Sequence, residues 1–125
     1  MQRIRHFGEL KFIPLKDLPH AQSVMKKACD VIESLDITYW ISAGTVLGIH
    51  RDKGFIPHDT DIDITVINGN PEAVNAAMKK KGFKLVRQAK RNNETTQLVY
   101  DLDNVLFDIE FSFLEDKHYC YYSEH

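Results

Sequence analysis

Apolar and polar positions along the chain repeat with two different periods, and these periods predict the order of helices and strands. Apolar residues recur at helical spacing over residues 18–35, behind the tripeptide DLP. We predict an amphipathic helix there, with Asp17 as its N-cap. A second helix is predicted from Pro71 to about Lys81, where Gly82 provides a glycine cap.

A period of two dominates most of the remaining chain and predicts strands. In the segment 61–67, Asp61, Asp63 and Thr65 alternate with isoleucines and a valine, which predicts a strand with one solvent-exposed face. A β-branched and aromatic run over 37–43 predicts a buried strand, and a short helix over 45–51 is expected after it. Further strands are predicted over 83–88, 95–101, 105–114 and 117–122.

Composition and charge limit the class of protein. The 125 residues are 43% hydrophobic and 27% charged, which is typical of one globular domain covering residues 1–125. The formal net charge of −2 does not favour a nucleic-acid-binding surface. The sequence has neither an 18-residue apolar stretch nor the apolar core of a signal peptide, so we expect no membrane span and a cytoplasmic protein. Cys29 and Cys120 lack metal-ligand spacing, and we expect both to be reduced.

The aspartates of the alternating strand are candidate metal ligands. Residues two apart on a strand point the same way with Cα atoms about 6.5–7 Å apart, so Asp61 and Asp63 direct two carboxylates into one space. Two such anions repel each other unless a cation lies between them, and oxygen ligands favour a hard cation such as Mg²⁺. A second strand, 105–114, supplies a third carboxylate through Asp108, with Glu110 on the same face as a secondary candidate.

A turn upstream of these strands is a candidate phosphate site. Gly44 and Thr45 separate a predicted strand from a predicted short helix, where a glycine allows close approach and free backbone N–H groups favour an anion. Arg51 ends the predicted short helix and Lys53 follows it, and these two residues either clamp phosphate or face water. Strand, Gly-Thr turn, helix and Asp-x-Asp strand together predict a phosphate-handling metal site.

The same residues resemble the LicD family pattern GTLLGxxRxxGFIPxDDDIDI. The matching segments are GTVLG at 44–48, Arg51, GFIP at 54–57 and DTDIDI at 59–64, with the family's spacing. The chain departs from the pattern at Thr60, which replaces an acidic residue, and at His58, which replaces the usual tryptophan.

The resemblance implies the nucleotidyltransferase fold, an α/β (α+β) mixed sheet flanked by helices. It also implies a Mg²⁺ site, with two ions expected and Mn²⁺ as a substitute, held by Asp61, Asp63 and Asp108. The implied activity is transfer of a phospho-substituent, such as phosphocholine or ribitol phosphate, from a CDP-activated donor to a glycan or another hydroxyl acceptor. Two alternatives remain open: a nucleotidyltransferase that places AMP or CMP from an NTP on a small molecule, and a non-catalytic binding module that keeps the fold.

Other motifs have simpler interpretations. The sequence Asp101-Leu102-Asp103 also fits Asp-x-Asp, but it runs into an asparagine between two predicted strands, so we assign it to a tight hairpin. His50 and His58 have no further nitrogen or sulfur ligand at zinc-like spacing, so solvated loop histidines are expected there.

Overall fold

A computed structural model of the chain describes residues 2–5, 14–41, 61–115 and 119–122. The described residues form two α-helices and seven strands. These are β1 (Gln2–Arg5), α1 (Ala21–Ser34), β2 (Thr38–Ile41), β3 (Asp61–Ile67), α2 (Pro71–Lys80), β4 (Lys84–Arg91), β5 (Glu94–Leu102), β6 (Val105–Glu115) and β7 (Tyr119–Tyr122).

The strands form one mixed sheet in the order β1-β4-β5-β6-β3-β2, and β7 pairs with the far end of β6. All described strand pairs are antiparallel except β3 and β6, which run parallel. This arrangement confirms the predicted α/β class with a mixed sheet. It also places β3 and β6, the two strands that carry the candidate carboxylates, side by side in the sheet.

Both described helices pack against one face of the sheet. The core-facing residues of β6 are fully buried there: Phe107, Ile109 and Phe111. Their positions alternate with Asp108 and Glu110, so the period of two places the carboxylates on the opposite face. The helices therefore cover the hydrophobic face of the sheet, which is opposite the face that carries the carboxylates. None of the helices within the described ranges is long and apolar enough to cross a membrane.

Helix α1 begins later than predicted, and Asp17 is not its N-cap. Residues 15–17 instead form a 3₁₀ turn that is anchored by Leu15, which is 1% exposed. The helix starts at Ala21 behind His20, whose side chain makes no capping hydrogen bond. The Nε2 atom of His20 lies 2.7 Å from the carbonyl oxygen of Asp103, so this residue joins the helix start to the β5–β6 hairpin.

Helix α2 begins and ends as the sequence predicts. The side chain of Asn70 accepts hydrogen bonds from the backbone N–H groups of Glu72 at 2.9 Å and Ala73 at 3.3 Å, and Pro71 occupies the first turn. Gly82 follows the helix with a φ of +95°, which is the left-handed conformation that a glycine permits after a helix end.

Two asparagine-containing turns set the lengths of the central strands. Asn92-Asn93 and Asp103-Asn104 have positive φ at both positions, which is typical of two-residue hairpin turns. The first turn extends β4 and β5 beyond the predicted bounds, to Arg91 and Glu94. The second confirms the hairpin in the Asp101-Leu102-Asp103 segment, although Asp101 itself is still part of β5.

Three further features differ from the sequence prediction. The strand over 37–43 was predicted to be buried, but β2 lies at the end of the described strand order and its residues are exposed or half-buried. Strand β1 pairs with β4, but it was not predicted because its four residues contain no alternating apolar pattern. Strand β3 does not have one fully exposed face, since Thr65 is only 8% exposed. In the register, Thr65 lies between Trp40 of β2 and Glu110 of β6.

Candidate metal centre

The parallel pairing of β3 and β6 brings the acidic faces of the two strands together. Asp63 lies opposite Asp108 in the register, and Asp61 lies opposite Leu106. Because neighbouring strands are about 4.8 Å apart and the faces are in phase, all three carboxylates project from one small area. The structure therefore brings together the three aspartates that the sequence offered as candidate metal ligands.

The three carboxylates are close enough to share a cation. One carboxylate oxygen from each of Asp61, Asp63 and Asp108 lies within 4.8 Å of the others. Mg²⁺ holds oxygen ligands at about 2.0–2.1 Å, so ligands on opposite sides of one ion lie about 4 Å apart, which is the scale of this cluster. The cluster offers only carboxylate oxygens, the ligand type that hard divalent cations prefer. Asp108 is 7% exposed, while Asp61 and Asp63 are half-buried.

The electrostatics of the cluster favour a bound cation. Burial, together with the negative charges of Asp61 and Asp108 and a smaller contribution from Glu110, raises the pKa of Asp63 to about 9. A carboxyl group that retains its proton at neutral pH indicates more negative charge than the site can hold by itself. A divalent cation would remove this excess, and the residues present therefore fit such an ion.

Gln97 on β5 is part of the site and was not predicted from the sequence. Its Nε2 atom donates to both carboxylate oxygens of Asp108, at 3.0 and 2.8 Å, and its side chain is 2% exposed. The sequence signal is weak, because Gln97 follows three polar residues at the start of β5 and directly precedes the apolar run of that strand. Only the pairing of β5 with β6 brings it next to Asp108.

Glu110 and Asp101 lie on the carboxylate face but outside the cluster of three. Glu110 lies two residues beyond Asp108 on β6, and its register partner on β3 is Thr65. Asp101 pairs with Leu106, which in turn pairs with Asp61, so Asp101 lies two strand spacings from Asp61. Two spacings are about 10 Å, while Asp101 is diagonal to Asp108 in the register, so a substitution of Asp101 tests whether a nearby carboxylate outside the cluster of three is also required.

The predicted phosphate site lies outside the described residues. This applies to Gly44, Thr45, Arg51 and Lys53, and also to the short helix over 45–51. The loop histidines His50 and His58 and the side chain of Cys120 fall outside as well. Cys29 is described, and it is a buried free thiol, as expected.

A family model agrees with the geometry of the site. The model for the nucleotidyltransferase domain of LicD, FKTN and FKRP matches residues 36–122, which include all three aspartates. The chain belongs to the LicD family. The resemblance inferred from the 44–64 segment is therefore confirmed, and the LicD match extends through β3, β6 and the intervening hairpins.

Several LicD relatives are much longer than this chain. Ribitol-5-phosphate transferase FKTN of Mus musculus is 27% identical over 101 residues, which cover 78% of this chain and 22% of that protein. The Homo sapiens protein of the same name is 25% identical over 100 residues with the same coverage. An uncharacterised protein of Rickettsia prowazekii is 40% identical over 45 residues, 36% of this chain. The chain spans about a fifth of the length of the FKTN relatives.

Solved structures share the fold of this LicD domain. A crystal structure of ANT(2″)-Ia in complex with adenylyl-2″-tobramycin superposes with a TM-score of 0.60 at 17% identity, covering 82% of this chain and 55% of that one. A solution structure of the antibiotic-resistance factor ANT(2″)-Ia gives the same TM-score at 16% identity. These similarities show the fold of the LicD domain.

Proposed function

We propose that this LicD domain is the catalytic part of a metal-dependent transferase. It moves a phospho-substituent, such as phosphocholine or ribitol phosphate, from a CDP-activated donor to a hydroxyl group of a glycan or another acceptor. The observation that carries the proposal is the cluster of Asp61, Asp63 and Asp108 on two parallel strands. The name of the FKTN relatives, ribitol-5-phosphate transferase, supports the class of transferred group.

The three aspartates of the cluster share one role in the proposed site, which is to bind the metal. Asp61, Asp63 and Asp108 would hold Mg²⁺ or Mn²⁺, with two ions expected, and the rigid strands β3 and β6 keep the three carboxylates in place. When bound, the metal supplies positive charge that offsets the charge of a donor pyrophosphate. The carboxylate face is the side of the sheet opposite α1 and α2.

The residues that the sequence indicates for phosphate binding would hold the donor. The backbone N–H groups at Gly44 and Thr45 would bind the donor phosphates, and Arg51 and Lys53 would pair with their remaining charge. The acceptor oxygen then forms a bond to the transferred phosphorus as the bond between that phosphorus and the CMP oxygen breaks. The acceptor hydroxyl passes its proton to water, and CMP leaves with the bridging oxygen and the electron pair of the broken bond.

A thermal-shift experiment tests the proposal. CDP-choline, CDP-ribitol, CTP and ATP are each added with Mg²⁺ and with EDTA, because a ligand that binds only the folded state raises its melting temperature. We expect a Mg²⁺-dependent rise with a CDP-linked donor. Asp61→Asn should abolish that rise and turnover, whereas the control Asp101→Asn should retain both.

The same experiment separates the alternatives. A rise with ATP or CTP but with neither CDP-linked compound would favour a nucleotidyltransferase that acts on a small molecule. Failure of every nucleotide to shift the melting temperature would favour a binding module without catalysis. Trp40 is the sole tryptophan and is 40% exposed on the carboxylate face beside Thr65, so its fluorescence provides an independent measure of binding.

A further inference from the structure

A buried glutamine on the strand next to β6 contacts the third carboxylate of the cluster. The Gln97 amide donates from Nε2 to both oxygens of Asp108, and both side chains are more than nine-tenths buried. The other end of the amide is different: Oε1 of Gln97 is buried and has no hydrogen-bond partner among the described residues. The amide therefore makes all of its described hydrogen bonds to Asp108.

The direction of the amide follows from its surroundings. The reverse orientation would place Oε1 against two carboxylate oxygens, where no hydrogen could lie between them and the lone pairs would repel. The observed orientation leaves Oε1 without a hydrogen-bond partner within the described part of the chain, and burying a polar atom in this way is unfavourable. A methionine or leucine of similar volume would avoid this cost. Packing alone therefore does not explain a glutamine at position 97, whereas donation to Asp108 does.

We propose that Gln97 is a positioning residue that fixes the Asp108 carboxylate for cation binding. The proposal rests on the metal-dependent function proposed above. A carboxylate that accepts one hydrogen bond on each oxygen keeps further lone pairs on both atoms for a metal. Because Gln97 on β5 donates to both oxygens of Asp108, the plane of the Asp108 carboxylate is fixed before a cation binds. Binding then requires less ordering of the Asp108 side chain.

The test compares two glutamines of the same sheet by titrating Mn²⁺ into metal-free protein in a calorimeter. Gln97→Met removes the donor and keeps the length of the side chain. Gln88→Met is the matched control, because the Gln88 amide donates to the Thr95 hydroxyl at 3.3 Å and not to a carboxylate. Loss of a residue that orients a metal ligand typically weakens metal affinity about 10–100-fold. We expect that loss for Gln97→Met and a change of less than about twofold for Gln88→Met.

Melting temperatures separate positioning from a general structural role. A structural role alone would lower the melting temperature of Gln97→Met and leave the Mn²⁺ affinity of its folded fraction unchanged, and this result would overturn the proposal. If Gln97→Met does not fold, Gln97→Asn replaces it. The asparagine amide is one methylene shorter and cannot reach both Asp108 oxygens, so weaker Mn²⁺ binding is again expected. Wild-type affinity in the asparagine variant would also overturn the proposal.

Failure of the metal site itself gives a different result. In that case wild-type protein and the Asp63→Asn variant would show the same absence of Mn²⁺ binding, and the proposed function would fail together with the role of Gln97. If wild-type protein binds Mn²⁺ and Asp63→Asn does not, the metal site stands. The Gln97 variants then decide the positioning role alone.

Discussion

In the absence of metal, the stability of the protein should fall as the pH rises, because of Asp63. Burial and the charges of Asp61 and Asp108 raise its pKa from an ordinary value of 3.8 to about 9. The folded state therefore binds a proton over a range of pH in which the unfolded state has lost it. The resulting stabilisation is fully present below the unfolded pKa and is lost as the pH rises towards 9.

The size of the effect follows from this range. Two pH units, from 6 to 8, correspond to at most about 2.7 kcal/mol at about 1.36 kcal/mol per unit. Asp63 is half-buried and solvent screens part of this effect, so about 1–2 kcal/mol is a reasonable expectation. For a chain of this length the loss corresponds to a decrease in melting temperature of roughly 3–10 °C.

The assay is thermal unfolding in EDTA at pH 6, 7 and 8, with Asp63→Asn measured in parallel. The asparagine variant should lose most of the pH dependence, and the difference between the two proteins removes the contribution of the histidines common to both. Saturating Mn²⁺ should abolish or reverse the decrease in the wild-type protein, because the cation binds the ionised carboxylates. If the melting temperature of metal-free wild-type protein stays constant or rises with pH, the pKa of Asp63 is not raised and the reasoning is refuted.

Two further substitutions test the turn and the helix start. Gly44→Val should weaken Mg²⁺-dependent nucleotide binding at a wild-type melting temperature if the donor phosphate approaches the backbone there; unchanged affinity by calorimetry would refute the phosphate site. Asn70→Ala removes the cap of α2 and should lower stability by about 1 kcal/mol without affecting turnover, as measured by urea unfolding. An equal loss in Asn70→Asp, which keeps a capping oxygen, would count against the capping explanation.

Local chemistry was sufficient to predict many elements from the sequence. The alternation in 61–67 and 105–114 predicted β3 and β6, and it assigned Asp61, Asp63 and Asp108 to polar faces because side chains of a strand alternate between its two sides. Pro71 and Gly82 predicted the limits of α2, since helix ends depend on residues within one turn. The motif in 44–64 was specific enough to indicate the LicD family before any contact was known.

Pairing between distant strands could not be derived in this way. The parallel register that sets Asp63 opposite Asp108 joins segments more than 40 residues apart, and neither segment encodes the other's position by itself. The same limitation explains why β1 was missed, since its backbone hydrogen bonds go to β4. Gln97 is the clearest case: its sequence neighbours indicate only a buried strand residue, and its contact with Asp108 exists because β5 and β6 pair. The sequence by itself determined which side chains of a strand share a face, and the tertiary structure determined which of them meet, because side-chain direction is a local property whereas strand register is a long-range one.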